Sequence, residues 1–193
     1  MGEGRDGRAD AVSRLAMVGL LALVLAGLGI YVVETEPRWY ERLRYPLRYE
    51  EIITGHAANY RLEPQLLAAM IYQESKFEAA ARSSSGAVGL MQLLPETGQG
   101  IADRTGGNRW RPEDLLNPEL NVRYGAWYLR HLLDKYGDEE LALAAYNAGQ
   151  ANVDRWRERG VGIQFDETRH YVVRVRKLKQ IYARAYPSEL GLS

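Results

Sequence analysis

The chain has 193 residues, and its 25 Lys and Arg balance its 25 Asp and Glu, so no net charge recruits nucleic acid or another polyanion. It has no cysteine, which excludes disulfides, thiolate metal sites, a cysteine nucleophile and a lipidated N-terminal Cys. Setting aside an apolar N-terminal stretch leaves about 140–150 residues, enough for one domain with its own core.

Residues 1–14 are expected as a cytoplasmic N-terminal tail. Leu15 to Val33, LAMVGLLALVLAGLGIYVV, carries no charge. As a helix it would span roughly 28 Å at about 1.5 Å per residue, close to the ~30 Å hydrocarbon core of a bilayer. A retained membrane anchor is the expectation. A cleaved signal peptide, with a small-residue site at Val24-Leu25-Ala26, is the alternative, although its apolar region usually runs only about 7–15 residues. Arginines flank both ends (Arg5, Arg8 and Arg14; Arg38, Arg42, Arg44 and Arg48), so the positive-inside rule does not choose an orientation. Residues 34–48, rich in Arg, Glu, Tyr and Pro, read as a juxtamembrane linker to a domain over 49–187, with 188–193 as a C-terminal tail.

Inside that domain the apolar spacing is helical. Tyr49 to Tyr60 is expected as a first helix, with Ile52, Ile53 and Ala57 on one face. Pro64 opens a second, PQLLAAMIYQESKF, at a position where its missing N–H costs little. Ser83 to Gln92 reads as a small-residue loop, and Gly98 to Asn117, punctuated by Gly, Asn and Pro, as a long connection. Pro118 to Tyr136 is an amphipathic helix stopped by Gly137. Helices over Asp138–Ala148, stopped by Gly149, and Gln150–Arg159 follow. The last spans Thr168–Tyr186, with Asp166 and Glu167 where negative charge suits the helix dipole. Strand patterns are almost absent, so the fold class is mostly α.

The helix from Pro64 carries the first chemical signal. Leu66, Leu67, Met70 and Ile71 form its apolar stripe, and Glu74 follows Ile71 by three residues and Met70 by four, on the same face. A carboxylate there is costly unless paired, hydrogen-bonded or protonated. The nearby helix C-terminus also disfavours a negative charge. Both effects raise its pKa toward what a general acid needs near neutral pH. The helix alone leaves another reading open, in which the stripe simply ends and Glu74 is a solvated surface residue.

Three ordered motifs extend the pattern. The run from Glu74 to Thr97, ESKFEAAARSSSGAVGLMQLLPET, resembles the first motif of the SLT-type lytic transglycosylases. Ala145-Tyr146-Asn147-Ala148-Gly149 is similar to the A-Y-N-A-G of that family, and Glu167-Thr168-Arg169-His170-Tyr171-Val172 to its E-T-R-x-Y-V. NPELNVRYGAWYL, at 117–129, resembles the intervening helix. The resemblance covers about 50–186 and implies a lysozyme-like helical domain acting on peptidoglycan glycan strands. It implies that Glu74 is the catalytic acid/base, and that Ser83 and Gln92 hydrogen-bond the sugar's N-acetyl and neighbouring groups. Met91 takes the apolar position lining the cleft. Tyr146 and Asn147 are expected beside the carboxyl, and Glu167 near the cleft where a stem peptide or sugar could be contacted. Two small departures, Glu78-Ala79 where Asn-Pro is common and Gly98 where Ala is usual, fall beside these positions.

Glycosidases ordinarily use two carboxylates, whereas these motifs supply one clear acid. The resemblance therefore implies non-hydrolytic cleavage to a 1,6-anhydromuramyl end, with no metal or organic cofactor. His56, His131 and His170 lack metal-ligand spacing. A hydrolytic muramidase on the same scaffold and a non-catalytic peptidoglycan-binding scaffold of an envelope machine are the alternatives. The resemblance further implies a single-pass protein of the inner membrane with its domain in the periplasm, or a secreted periplasmic one if the N-terminus is cleaved. Any envelope partner is unspecified.

Overall fold

The computed structural model describes residues 6–107 and 109–192. Residues 1–5, within the expected tail, lie outside the described residues, as do Asn108 and Ser193. Contacts divide the chain into two units, Met1–Arg44 and Tyr45–Ser193.

In the first unit, α1 (Asp6–Thr35) is longer than the apolar segment at both ends. Its stretch Arg14–Val32 is long and apolar enough to cross a membrane, and none of it is buried. A second helix, α2 (Arg38–Arg44), occupies what the composition suggested was linker.

The second unit is helical, with only isolated β-bridges among the described residues. It comprises α3 (Glu50–Tyr60), α4 (Pro64–Ser75), α5 (Pro95–Thr105), a 3₁₀ turn (Pro112–Leu116), α6 (Pro118–Tyr136), α7 (Glu139–Ala148), α8 (Gln150–Glu158) and α9 (Asp166–Ala185). Its start and finish are both tied to α9 and the residue beyond it. Tyr182 donates its hydroxyl to the Pro46 carbonyl, and Tyr186 donates to that of Tyr45, each at 3.1 Å. Leu190, expected in a tail, is buried in the core.

Helix α4 is the centre of the packing. Six consecutive residues, Leu66 to Ile71, are at most 2% exposed, so this helix is buried nearly all round rather than along one stripe. It packs most extensively on α9 and also against α3, while α6 packs on α3 and α7. Each large side chain removed from water there contributes about 1.5–3 kcal/mol before ordering costs. The helix ends at Ser75, two residues earlier than its apolar pattern suggested. Lys76 and Phe77 both take positive φ, 54° and 65°, an uncommon conformation for residues with a Cβ. Phe77 is held there by burial against Tyr72 and Tyr182.

The expected loop from Gly98 to Asn117 is instead largely structured: α5 carries straight through Gly98 and Gly100, and the 3₁₀ turn follows. Those glycines are not helix stops. A Cβ on Gly98 would come within 2.7 Å of the Trp110 ring, so the position is small because another segment packs onto it. Tertiary contact overrides the cost of a helical glycine, about 1 kcal/mol. The remaining boundaries follow their punctuation. Asn117 and Asp138 cap α6 and α7 by accepting from Leu120 and Leu141 N–H, and Gly137 closes α6 with φ 66°.

One buried side chain joins α6 to the loop that precedes α5. Asn121 is fully buried, accepts from the Met91 N–H at 2.8 Å and donates to the Val88 and Leu115 carbonyls at 2.9 and 2.8 Å. Gly89 passes so close that a Cβ would sit 2.2 Å from Asn121 Nδ2. Without Asn121 the Met91 N–H would lose its partner, at about 1–3 kcal/mol, whereas the Val88 carbonyl would still accept from the Leu93 N–H. The loop is thereby fixed in place beside the end of α4.

Candidate active site

Glu74 stands on the last turn of α4, where the helix axis leaves the core and the side chain reaches a surface cleft of about 500 Å³. The adjacent Ser75 hydroxyl lies 2.8 Å from the Leu90 carbonyl and 3.1 Å from that of Ile71, which ties the loop to this end of the helix. Glu74 makes no ion pair among the described residues. Tyr171, from α9, donates its hydroxyl to Glu74 Oε1 at 2.6 Å. Burial raises the Glu74 pKa from 4.5 to about 7, partly offset by the Tyr171 hydrogen bond and by the charge of Lys76. Desolvation of the carboxylate thus outweighs both groups that favour it.

The other expected residues gather around the same cleft, with one exception. Ser83, Gln92, Tyr146, Asn147 and Glu167 line it together with Glu74. Met91 does not: its side chain is fully buried against Gly125, where a Cβ would come 2.2 Å from Met91 Sδ. Its contribution is the backbone, whose N–H is held by Asn121 and whose carbonyl accepts from Tyr146. A hydrophobic residue at that position fills the layer beneath the cleft rather than its wall.

Much of the lining is already occupied in holding the loop. Ser83 Oγ accepts from the Ala87 N–H at 3.0 Å and lies 2.8 Å from Ser85 Oγ. Gln92, itself at φ 47°, donates through Nε2 to the Gly89 and Ala81 carbonyls. Because both partners are acceptors, the amide orientation is determined, and Oε1 is the end left for a ligand. Tyr146 donates to the Met91 carbonyl at 2.9 Å rather than to Glu74, although the Glu74 charge helps burial raise its pKa well above the usual phenol value. Asn147 accepts from the buried Thr168 hydroxyl at 2.7 Å, which couples α7 to the start of α9. Gly149, on the cleft wall, ends α7 and begins α8 at φ 84° and ψ 145°, a backbone region reserved for glycine.

Tyr171 is the residue that sequence reasoning did not assign. It sits within the third motif, but its place in the buried series Thr168, Tyr171, Val172 and Val175 reads as core spacing. Only the fold brings it across 97 positions to Glu74. A second pocket, about 490 Å³, continues beyond the cleft along Tyr171 and Arg174, and shares Glu74, Asn147 and Glu167 with it. The carboxyl therefore lines two connected recesses. Glu167 is exposed at the entrance to both. Among the described residues no group of three or more His, Asp or Glu is placed to hold a metal.

The Transglycosylase SLT domain family matches residues 51–164, more than half of the chain. The protein belongs to this family. Among its SLT relatives, a soluble lytic murein transglycosylase of Salmonella typhimurium is 33% identical over 144 residues, covering 68% of this chain and 22% of its own length. An endo-type membrane-bound lytic murein transglycosylase A of Klebsiella pneumoniae is 37% identical over 123 residues, covering 60% of this chain and 59% of its own. The chain thus spans only part of each relative. The 70 kDa soluble lytic transglycosylase of Escherichia coli superimposes with a TM-score of 0.72 at 27% identity, over 79% of this chain and 27% of that one. An inactive mutant of the lytic transglycosylase Slt from Pseudomonas aeruginosa gives 0.69 at 32% identity, over 80% and 27%. The mostly helical, lysozyme-like SLT fold expected from the sequence is the fold observed. Membrane-bound SLT relatives and the apolar α1 are compatible with a place in the cell envelope.

The raised carboxyl pKa has a consequence for stability. Glu74 titrates near 4.5 when unfolded and near 7 when folded, so stability is lost as pH rises through that window. Glu74→Gln removes this effect. Relative to wild type, the variant should be unchanged at pH 4 and more stable at pH 8, by up to about 3 kcal/mol. Thermal melts of the full chain across pH 4–8 check this; a difference independent of pH would contradict it.

Proposed function

We propose that this chain is a lytic transglycosylase that cleaves the β-1,4 bond between N-acetylmuramic acid and N-acetylglucosamine in peptidoglycan. The observation that carries the reading is a carboxyl with a pKa of about 7, held by a phenol and set between two connected recesses. Membership of the SLT family and relatives named lytic murein transglycosylases support the substrate.

In the proposed reaction the protonated Glu74 delivers its proton to the bridging oxygen as the bond from that oxygen to the muramyl C1 breaks. The 2-acetamido group stabilises the oxocarbenium-like centre. The muramyl C6 hydroxyl then attacks C1 and returns its proton to the Glu74 carboxylate, giving a 1,6-anhydro end without consuming water. One carboxyl acts first as acid and then as base. Tyr171 orients the carboxyl and stabilises its charged form after the first transfer. Gln92 Oε1 and the Ser83–Ser85 loop are assigned to the sugar's amide and hydroxyl groups, and Glu167 to the strand or its peptide at the cleft entrance.

Glu167 also gives hydrolysis its supporting observation, because a second carboxylate lining the cleft is what a water-activating mechanism needs. Mass spectrometry of muropeptides released from purified sacculi separates the two. Wild type and Glu167→Gln should both yield anhydro ends, with at least a roughly hundred-fold lower yield from Glu74→Gln, the scale of general acid catalysis. Reducing ends that disappear in Glu167→Gln would identify a hydrolase instead.

We further propose that α1 is a retained anchor that keeps the domain at the membrane on the side where peptidoglycan lies. Fractionation of cells should leave a full-length protein in the detergent-soluble membrane fraction. A shortened, freely soluble form would mean that the segment is a cleaved signal.

A further inference from the structure

Helix α9 turns one side to the core and the other to solvent. Its buried positions run from Thr168 and Tyr171 to Tyr182 and Ala185. At about 100° per residue, the opposite side is centred on Val173, with Arg169, Arg176, Lys177, Gln180 and Arg184 around it, all exposed. Val173 is 67% exposed, more than any other large apolar side chain described in the domain, and Phe165, just before the first turn, is exposed as well.

Between Thr168 and Tyr186 the sequence holds Lys or Arg at six positions and no Asp or Glu. Neighbouring carboxylates neutralise only part of this set. Arg169 pairs with Asp166, and Lys179, on the inner flank, bridges Glu63 and Glu139. Arg176 reaches Glu140 only at 3.4 Å. Lys177 makes no ion pair or hydrogen bond among the described residues. A single exposed valine is ordinary on a protein surface; what distinguishes Val173 is its setting at the centre of an acid-free basic face. An apolar side chain amid long cationic ones suits a bilayer interface, where the Lys and Arg stems lie along apolar surface and their heads meet anionic headgroups.

The reach of the chain brings such a surface close. Residues 33–44 join the apolar stretch of α1 to the domain, and even fully extended they span only about 40 Å. That distance is comparable with the width of a domain of this size. We propose that the outer face of α9 docks on an anionic phospholipid surface, with Val173 entering the interface and Arg176, Lys177 and Arg184 among the headgroups. The inference rests on the reading of α1 as a retained anchor, and goes beyond it in fixing which side of the domain lies on the membrane. His170 and Arg174 stand at one edge of this face and line the second recess, so that recess opens at the margin of the docked surface.

The test uses the full chain inserted through α1 into nanodiscs of phosphatidylcholine alone, or of equal parts phosphatidylcholine and phosphatidylglycerol. Because the chain has no cysteine, Val173→Cys provides a single site for a fluorophore, and Asp103→Cys, exposed on α5, provides a reference. Quenching by lipids that carry a nitroxide near the headgroup should be stronger at position 173 than at 103 in the anionic discs, and weak at both in the neutral ones. Lys177→Glu should lower the ratio of docked to undocked domain roughly thirty-fold, a swing of two charges at about five-fold each. Lys177→Arg should preserve it, and raised salt should act as the Glu substitution does. Equal quenching at both positions, or quenching at 173 that ignores lipid charge and Lys177→Glu, would overturn the docking alone. So would burial of the 173 label that rises with protein concentration in neutral discs, the mark of a second copy on this face. Chains that fail to enter either disc would overturn the anchor reading, and the docking with it.

Discussion

A carboxyl group that is to donate a proton near neutral pH must be kept from ionising, yet it must still be reached by a polymer. In the proposed reaction Glu74 meets both demands through its position at the end of α4. The six residues from Leu66 to Ile71 anchor the helix in the core, and the helix emerges at the cleft just as Glu74 is reached. Desolvation by this setting, with no salt-bridge partner among the described residues, raises the pKa to about 7. A lysine or arginine in direct contact would have reversed the shift and removed the proton. Tyr171 is a smaller influence: it orients the carboxyl and favours the charged form without supplying a full charge.

The rest of the domain can be understood as support for that arrangement. The cleft wall opposite α4 has little regular structure, so its backbone groups need partners from elsewhere. Asn121 supplies two of those hydrogen bonds from α6, to Met91 and Val88, Tyr146 supplies one from α7, and Ser75 reaches Leu90 from α4. Gly89 and Gly125 let the loop and the Met91 side chain approach α6 closely. Loop side chains bind mainly their own backbone, which leaves only selected ends, such as Gln92 Oε1, for a ligand. The recesses on either side of Glu74 then suit a strand that passes through rather than a molecule that is enclosed.

How much of this was legible from sequence depended on the range of the cause. The limits of α6 and α7 follow from Pro118, Gly137 and Gly149 and from the caps Asn117 and Asp138, all local signals. Glu74 was recognisable because helical spacing placed it beside Met70 and Ile71, with the ordered motifs pointing to the same residue. Helix α5 was hidden because Gly98 reads as a breaker until Trp110 is seen packed against it. The early end of α4 was hidden for a related reason, since Phe77 tolerates positive φ only with Tyr72 and Tyr182 around it. At the site, motif position alone could not separate wall from foundation. Met91 turned out to lie beneath the cleft. The phenol that donates to Glu74 is that of Tyr171, which the motif reading had not assigned, while Tyr146 lines the cleft and donates to the Met91 carbonyl.

The central claim is that burial, rather than a charged partner, holds Glu74 protonated near neutral pH. It is tested most directly by titrating the side-chain carboxyl with carbon-13 NMR, using glutamate-labelled full-length protein and Glu74→Gln to assign the signal. The account predicts a Glu74 carboxyl that titrates at about pH 7. Titration near the ordinary glutamate value of about 4.3 would contradict it.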